Sequence, residues 1–478
     1  MRLGRQAAIV FVSRFLGSAL GFITTILIVN ELGAEVLGYF SVVVALVSWL
    51  VLAGDLGISS AMVKRISEDR DPTSYAGAGF ILLFGFIVVL SVVVFGLQPL
   101  VNEYVGKNVH LFVIALLTLA LVEAGVTAIL HGQRKVHIVG ILFGLRLGSR
   151  SVTQIALIFV GLGFVGLLFG YGVGFLVTIV IGIYFSSLSI SLPSRFHVSN
   201  IVSYAKYSWL GELENRSFQD IDIMILGAFV APSLVGIYSA TWSIAIILFF
   251  FGSAIRQVMF PEISRAEAKA DDKAIADLVR NAITYCGVIM IPGLLGSVVL
   301  ADRILLCCGA ELQKAALLLP LLIFACLLYS YQKQMINALN GIDRPDTSFR
   351  VNLVFVILNT LLNIVLVVSL GWVGAAIATV LSAGVGLVTA YVLLDHHISF
   401  RMPWREILYQ WIASFGMVAA IIGARNVLET ITIFENNLLF IAALVSIGAV
   451  CYFVALIGMS ENFRNTLKSN LPDPVSTF

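Results

Sequence analysis

Apolar stretches long enough to cross a bilayer follow one another along almost the whole chain, separated by short polar breaks. Crossing the hydrocarbon takes roughly 20 helical residues, and there every backbone N–H and C=O must find its partner within the segment. About fourteen such spans can be placed, at 7–29, 36–57, 74–97, 109–130, 139–161, 164–187, 203–228, 233–257, 281–300, 313–335, 349–369, 372–394, 406–425 and 437–458. Only 12% of the 478 residues are charged, against about 25% in a soluble domain. Mean hydropathy is +1.01. The fold class expected is therefore an all-α polytopic membrane protein. Its first segment, with a basic flank and an overlong apolar run, reads as a retained first helix.

The spans come in two copies. Leu37-Gly38-Tyr39-Phe40-Ser41 returns as Val235-Gly236-Ile237-Tyr238-Ser239, 198 positions later. Leu130-His131-Gly132 returns as Leu339-Asn340-Gly341, and Leu162-Gly163-Phe164-Val165-Gly166 as Leu370-Gly371-Trp372-Val373-Gly374. The echoes keep their order at offsets of 198 to 209. The expected domains are 1–200 and 201–400, each with six spans, followed by 401–478 with two unpaired spans and a tail. Internal repeats of membrane helices are a mark of secondary transporters, whose sites lie near the repeat interface.

Lys and Arg set the orientation. With the N-terminus inside, cytoplasmic segments hold most of the 29 basic residues, whereas outside segments hold Lys107, Arg303, Lys314 and Arg425. That bias puts both termini in the cytoplasm of a multi-pass protein of the cell membrane. The stretch from Pro261 to Arg280 reads as a cytoplasmic surface helix, and Pro292 and Pro320 as bends inside spans.

Charges within spans carry the functional signal, because each costs at least about 2.5–3.5 kcal/mol on insertion scales unless paired or wetted. In the first span Arg14 shares a face with Ser18, Gly21 and Thr25. In the seventh, Glu212, Asn215, Arg216, Gln219, Asp220 and Asp222 lie within about 160° at 100° per residue. The 198-residue offset sets Glu212 against Arg14. The fifth span adds Arg146, Ser149, Arg150, Thr153 and Gln154, and the eleventh adds Asn352, Asn359 and Asn363. Together these stripes point to a polar, water-accessible cavity. Simpler readings exist: Glu212 and Arg216 are spaced to neutralise each other, Arg146 is near enough to a span end to snorkel, Asp55 and Glu123 suit helix ends, and the asparagines suit interhelical hydrogen bonds. Gly166, Gly170 and Gly174 recur every fourth residue and favour close helix packing, as do Gly374, Ala378 and Ser382.

Other chemistries lack their residues. The five cysteines have no metal-ligand spacing. Asp220-Ile221-Asp222 has D-x-D form but falls within a span. No Gly-rich loop sits between a strand and a helix, which disfavours an ATP-driven pump. No cofactor, metal or nucleic-acid partner is expected.

Three stretches, Ser13-Arg14-Phe15-Leu16-Gly17, Leu32-Gly33-Ala34-Glu35-Val36-Leu37-Gly38-Tyr39-Phe40-Ser41 and Asp55-Leu56-Gly57-Ile58-Ser59-Ser60-Ala61, resemble the amino-terminal pattern of the polysaccharide transporter family. These are the Wzx-type oligosaccharide flippases of the multidrug/oligosaccharidyl-lipid/polysaccharide exporter superfamily. The resemblance implies two six-helix lobes in a V with two additional C-terminal helices. It also implies a cationic cavity that carries a polyprenyl phosphate- or diphosphate-linked glycan across the membrane by alternating access, for surface polysaccharide or protein glycosylation. Arg14 matches the family's basic position in the first helix, while the acidic seventh span departs from an anion path. Arg14, Arg146 and Arg150 are then the candidates for phosphate. Ser18, Thr25, Gln154, Gln219, Asn359 and Asn363 suit sugar hydroxyls, and Glu212, Arg216, Asp220 and Asp222 suit gating or a coupling proton or sodium ion. The expected partners are the lipid-linked oligosaccharide, membrane lipids and glycan-assembly enzymes. A transporter rather than an enzyme is expected. The rival readings are a cation or drug antiporter of the same superfamily, a membrane glycosyltransferase or ligase, and an inactive scaffold.

Overall fold

The protein is described by a computed structural model covering residues 2–68, 71–187, 189–431 and 437–470, with side chains left out at 2–12, 14, 15, 206–208, 210, 430, 431 and 466–470. Every regular element among the described residues is helical. The helices are α1 (Arg2–Leu32), α2 (Ala34–Asp55), α3 (Ile58–Ser67), α4 (Pro72–Gly96), α5 (Gln98–Val105), α6 (His110–Gly132), α7 (Val136–Phe159), α8 (Gly163–Phe185), α9 (Arg195–Phe229), α10 (Pro232–Glu267), α11 (Asp272–Cys308), α12 (Leu318–Gly341), α13 (Pro345–Leu370), α14 (Trp372–Asp395), α15 (Trp404–Ile431), α16 (Asn437–Met459) and α17 (Glu461–Asn470), with a 3₁₀ turn at Ala310–Ala315.

Among the described residues, 11 helices are long and apolar enough to cross a membrane: α2, α4, α6, α7, α8, α10, α11, α13, α14, α15 and α16. Three more expected spans fall on α1, α9 and α12: of α1 the apolar stretch Leu16–Leu32 is described, and α9 and α12 have the length but are less apolar. In α9 the cause is the charge of Glu212, Arg216, Asp220 and Asp222; in α12 it is the polar run Tyr329-Ser330-Tyr331-Gln332-Lys333-Gln334. Large apolar side chains such as Phe84, Val92, Val180, Val388 and Val454 point outward, as lipid-facing positions should.

Two sequence expectations need correction. No separate surface helix occupies 261–280: α10 carries on to Glu267, with Pro261 inside it, and α11 starts at Asp272. The helices simply overrun the membrane thickness. Pro320 lies in the first turn of α12, where a missing N–H breaks no intrahelical bond, so it does not bend the helix. Pro292 does lie inside α11.

The chain forms two compact units, Met1–Ala240 with Asn363–Ala375, and Thr241–Leu362 with Ala376–Phe478. In the first, α7 packs on both α1 and α8, and α6 packs on α3, α4 and α8. Its core includes Met62, Leu83, Leu117, Leu121 and Ile201. The first unit also brings two of the echoed sequence stretches into contact. Ser41 donates to Ser239, 198 residues away, at 2.8 Å. Beside them α2 and the start of α10 cross with backbones touching: a methyl on Gly38 would strike the Pro232 carbonyl, and one on Gly236 the Ala34 carbonyl. The tight junctions also recur. Gly161, at φ 85°, and Gly163, at φ 48°, turn α7 into α8, and Gly371, at φ 62°, turns α13 into α14. Glycine adopts this left-handed backbone at least cost. In the second unit α11 packs on α12, α15 and α16, around a core that includes Val288, Met417, Leu444 and Tyr452.

Candidate substrate site

The polar stripe of α7 packs, within the first unit, on the aromatic residues of α8, and the stripe of α9 reaches them electrostatically through Arg216 and Tyr171. Glycine is the reason α7 and α8 can approach so closely. A methyl on Gly166 would lie 2.9 Å from Leu157 Cβ; one on Gly174 would lie 2.9 Å from the Arg146 carbonyl oxygen and 3.1 Å from Arg150 Cβ. One on Gly170 would lie 2.9 Å from the Gln154 amide nitrogen. Each glycine of the i, i+4 stripe thus seats one turn of α7, and two of those turns carry Gln154 and Arg150.

Charge is distributed unevenly over this seat. Arg146 Nη1 pairs with Glu123 Oε2 on α6 at 3.3 Å, and its guanidinium lies 5.2 Å from the Phe143 ring and 5.6 Å from Phe175. Arg146 therefore binds a carboxylate instead of snorkelling, and Glu123 is a partner instead of a helix-end residue. Arg150 Nε donates to Gln154 Oε1 at 3.3 Å. Gln154, fully buried, donates in turn to the Leu167 carbonyl at 2.8 Å. The Arg150 guanidinium lies 4.5 Å from the Tyr171 ring and 5.5 Å from Phe40, in cation–π range. On α9, Arg216 is bracketed by Glu212 at 3.1 Å and Asp220 at 3.5 Å, and Gln219 donates to Asn215 at 3.3 Å. Tyr171 is within electrostatic reach of both Arg150 and Arg216. The buried Tyr238 hydroxyl donates to Asp222.

The other candidates are dispersed. The side chain of Arg14 lies outside the described residues; its backbone belongs to the stretch of α1 where Ser13 and Gly17 press on Gly144 and Leu147 of α7. Ser18 is half-buried on α1, and Thr25 donates to the Gly21 carbonyl at 3.1 Å, a bond within its own helix. Asn359 and Asn363 are both fully buried in α13 and belong to different units. Asp55 caps the start of α3 by accepting from the Ser59 amide at 3.0 Å. Four contributors escaped the sequence reading: Glu123 as a partner, and Phe40, Tyr171 and Phe175 as aromatic walls. Tyr171 and Phe175 are four apart on an otherwise apolar helix, a spacing that gives one face but names no partner.

The arrangement is a cluster of guanidinium, carboxylate, amide and aromatic groups inside membrane-length helices. Among the described residues no group of three or more His, Cys, Asp or Glu is placed to hold a metal ion.

Comparison with known proteins agrees with this picture. Residues 31–316 match the family model described as "Polysaccharide biosynthesis protein". The chain belongs to that family. Two relatives from Haloferax volcanii match over nearly their whole length. "Probable flippase AglR" is 29% identical, covering 99% of this chain and 99% of the relative. "Probable low-salt glycan biosynthesis flippase Agl15" is 27% identical, covering 98% of this chain and 99% of the relative. Among solved structures, the lipid II flippase MurJ in an inward closed conformation superposes with a TM-score of 0.77 at 15% identity, covering 96% of this chain and 99% of that one. An inward-facing multidrug resistance MATE transporter gives 0.64 at 17% identity, covering 80% and 94%. At these identities the structural matches establish the shared fold. This family member is thus an all-helical, multi-pass membrane protein with the fold of MurJ and the MATE transporters.

Proposed function

We propose that this chain is a flippase that carries a polyprenyl phosphate- or diphosphate-linked oligosaccharide across the cytoplasmic membrane, for surface polysaccharide or protein glycosylation. The observation that carries the reading is the cluster of arginines walled by aromatic rings on α7 and α8, in a chain whose full-length relatives are named flippases. A phosphate cannot cross hydrocarbon unaided. Arginine meets it with charge-assisted, paired hydrogen bonds; the arginines on this face are Arg146 and Arg150, and Arg14, whose side chain lies outside the described residues, is the third candidate. Aromatic rings suit the apolar faces of sugars, and Ser18, Thr25, Gln154, Gln219, Asn359 and Asn363 suit their hydroxyls. Glu212, Arg216, Asp220 and Asp222 form the charge network available for gating or for a coupling proton or sodium ion.

In this proposal α1, α9 and α12 also span, both termini are cytoplasmic, and the repeats 1–200 and 201–400 alternate access to the site, with 401–478 added on. Membrane lipids and glycan-assembly enzymes are its partners, and the chain performs no covalent chemistry. A second reading, a cation or drug antiporter, is favoured by one observation, the carboxylates of α9 in a MATE-like fold.

The deciding experiment follows lipid-linked glycan in a strain lacking the protein. Build-up of the cytoplasm-facing lipid-linked glycan with loss of the surface glycan supports the flippase. Normal surface glycan with new sensitivity to cationic drugs overturns it in favour of the antiporter.

A further inference from the structure

Charge pairing singles out one residue of the cluster. Arg146 is matched by Glu123, and Arg216 by Glu212 and Asp220. Among the described residues of the cluster, Arg150 alone has no carboxylate partner. Its only side-chain hydrogen bond is Nε to the neutral amide oxygen of Gln154. An uncompensated guanidinium within a membrane-length helix is costly, and natural membrane proteins keep such charges for a ligand or a wet path.

The surroundings of Arg150 are built rather than incidental. Gln154 is held by the Leu167 carbonyl, so its oxygen is fixed for Arg150 Nε. Tyr171 and Phe40 take the guanidinium in cation–π contact. Gly170 and Gly174 leave room for both α7 side chains. A guanidinium has five N–H donors. With Nε committed, the Nη pair is what remains for an external acceptor. A planar fork of this kind takes two oxygens of one oxyanion side by side, which a lysine ammonium cannot do.

We propose that Arg150 is the phosphate-recognising residue of the substrate site, positioned by Gln154 and Tyr171 to grip two oxygens of a phosphate ester. This rests on the flippase reading above and narrows it: the ion pair of Arg146 joins α7 to α6, those of Arg216 lie along α9, and Arg150 supplies the specificity for a phosphorylated lipid.

The test is competitive binding to purified full-length protein, followed by native mass spectrometry, with polyprenyl phosphate against the same polyprenol lacking phosphate. Wild type should prefer the phosphate. Arg150→Gln and Arg150→Lys should each reduce that preference about 10- to 100-fold, the range for losing one charge-assisted hydrogen-bonded contact. Gln154→Glu keeps the arginine but supplies an internal carboxylate, and should abolish the preference; thermal unfolding reads separately the lost bond to the Leu167 carbonyl. A full preference retained in Arg150→Gln or in Gln154→Glu overturns the proposal. So does equal displacement by phosphatidylglycerol, which would assign the site to bulk anionic lipid. Transport in proteoliposomes separates the two readings. Arg150-dependent binding with no movement of lipid-linked glycan by wild type sinks the flippase and keeps this site. Glycan movement that survives Arg150→Gln sinks this site and keeps the flippase.

Discussion

The two compact units bury polar groups for different ends. In the first, α6, α7 and α9 contribute full charges, paired across and along helices and faced by aromatic rings. In the second, the polar residues of α12 are mostly neutral: two bond to main chain, while the buried Gln332 amide has no hydrogen-bond partner among the described residues. Gln334 donates to the Gly252 carbonyl at 2.9 Å, and Asn337 to the Arg256 carbonyl at 3.3 Å. On α15, Gln410 does the same to the Thr284 carbonyl at 2.9 Å. An amide bonded to a neighbouring helix's carbonyl is glue, since neither group can find water in hydrocarbon. A guanidinium held between aromatic rings and a neutral amide is a receptor awaiting a counter-charge. Full charges thus gather on α6, α7 and α9 in the first unit, and neutral amides bonded to a neighbouring helix's carbonyl recur in the second.

Four tests probe this contrast, and the first should have the largest effect. Glu123→Gln leaves Arg146 without its counter-charge and should cost about 3 kcal/mol, the low end for breaking a buried pair. The double change Glu123→Gln with Arg146→Gln should recover most of it. Thermal unfolding in detergent reads both, and equal stability of single and double variants would remove the pair from the account. Next is helix seating. Gly174→Ala forces a methyl against the Arg146 carbonyl and should cost about 1–3 kcal/mol, the usual range for overpacking. Gly423→Ala on α15, where nothing lies within 4 Å, should be neutral or slightly stabilising. If the two behaved alike, the seating of α7 on α8 would not depend on glycine.

Smaller is the glue. Gln334→Leu in the second unit should cost about 1 kcal/mol of stability, the worth of one hydrogen bond, and leave surface-glycan production unchanged. Lost production at normal protein level would move the site into the second unit. Smallest is a pH effect at the edge of the first unit. Asp71 caps α4; hydrogen bonding from Ser74, then from Thr73, with the nearby His197 imidazole, holds its carboxyl below the usual range. A depressed carboxyl contributes stability above its unfolded pKa of about 3.9 and loses it as pH falls through the lower folded value. Asp71→Asn should therefore lower the unfolding temperature slightly at pH 7, with the gap closing toward pH 3. A gap unchanged across that range would rule out the carboxylate as its source.

Several features were legible from residue order alone. The turns at Gly161 and Gly371 could be placed because glycine there sits between two apolar runs too close for a longer loop. The offset of 198 between Gly38 and Gly236 could be read from the sequence, whereas the contact of Ser41 with Ser239 could not. Pairing on α9 was readable too, since Glu212, Arg216 and Asp220 are spaced four apart on one helix. The partner of Arg146 was not readable, because Glu123 is 23 residues away on another helix and spacing says nothing about partners across a helix interface.

By itself, then, the sequence determined a multi-pass helical membrane protein with an internal repeat and charges in its spans. Those properties follow from local rules: apolar length, backbone self-satisfaction and helical period act within one segment. Only the tertiary structure decided which charges are spent. Arg216 carries its carboxylates on its own helix, but neutralisation across an interface depends on distances of a few ångströms between helices, and it was helix packing that gave Arg146 the Glu123 carboxylate and left Arg150 with an amide and two rings.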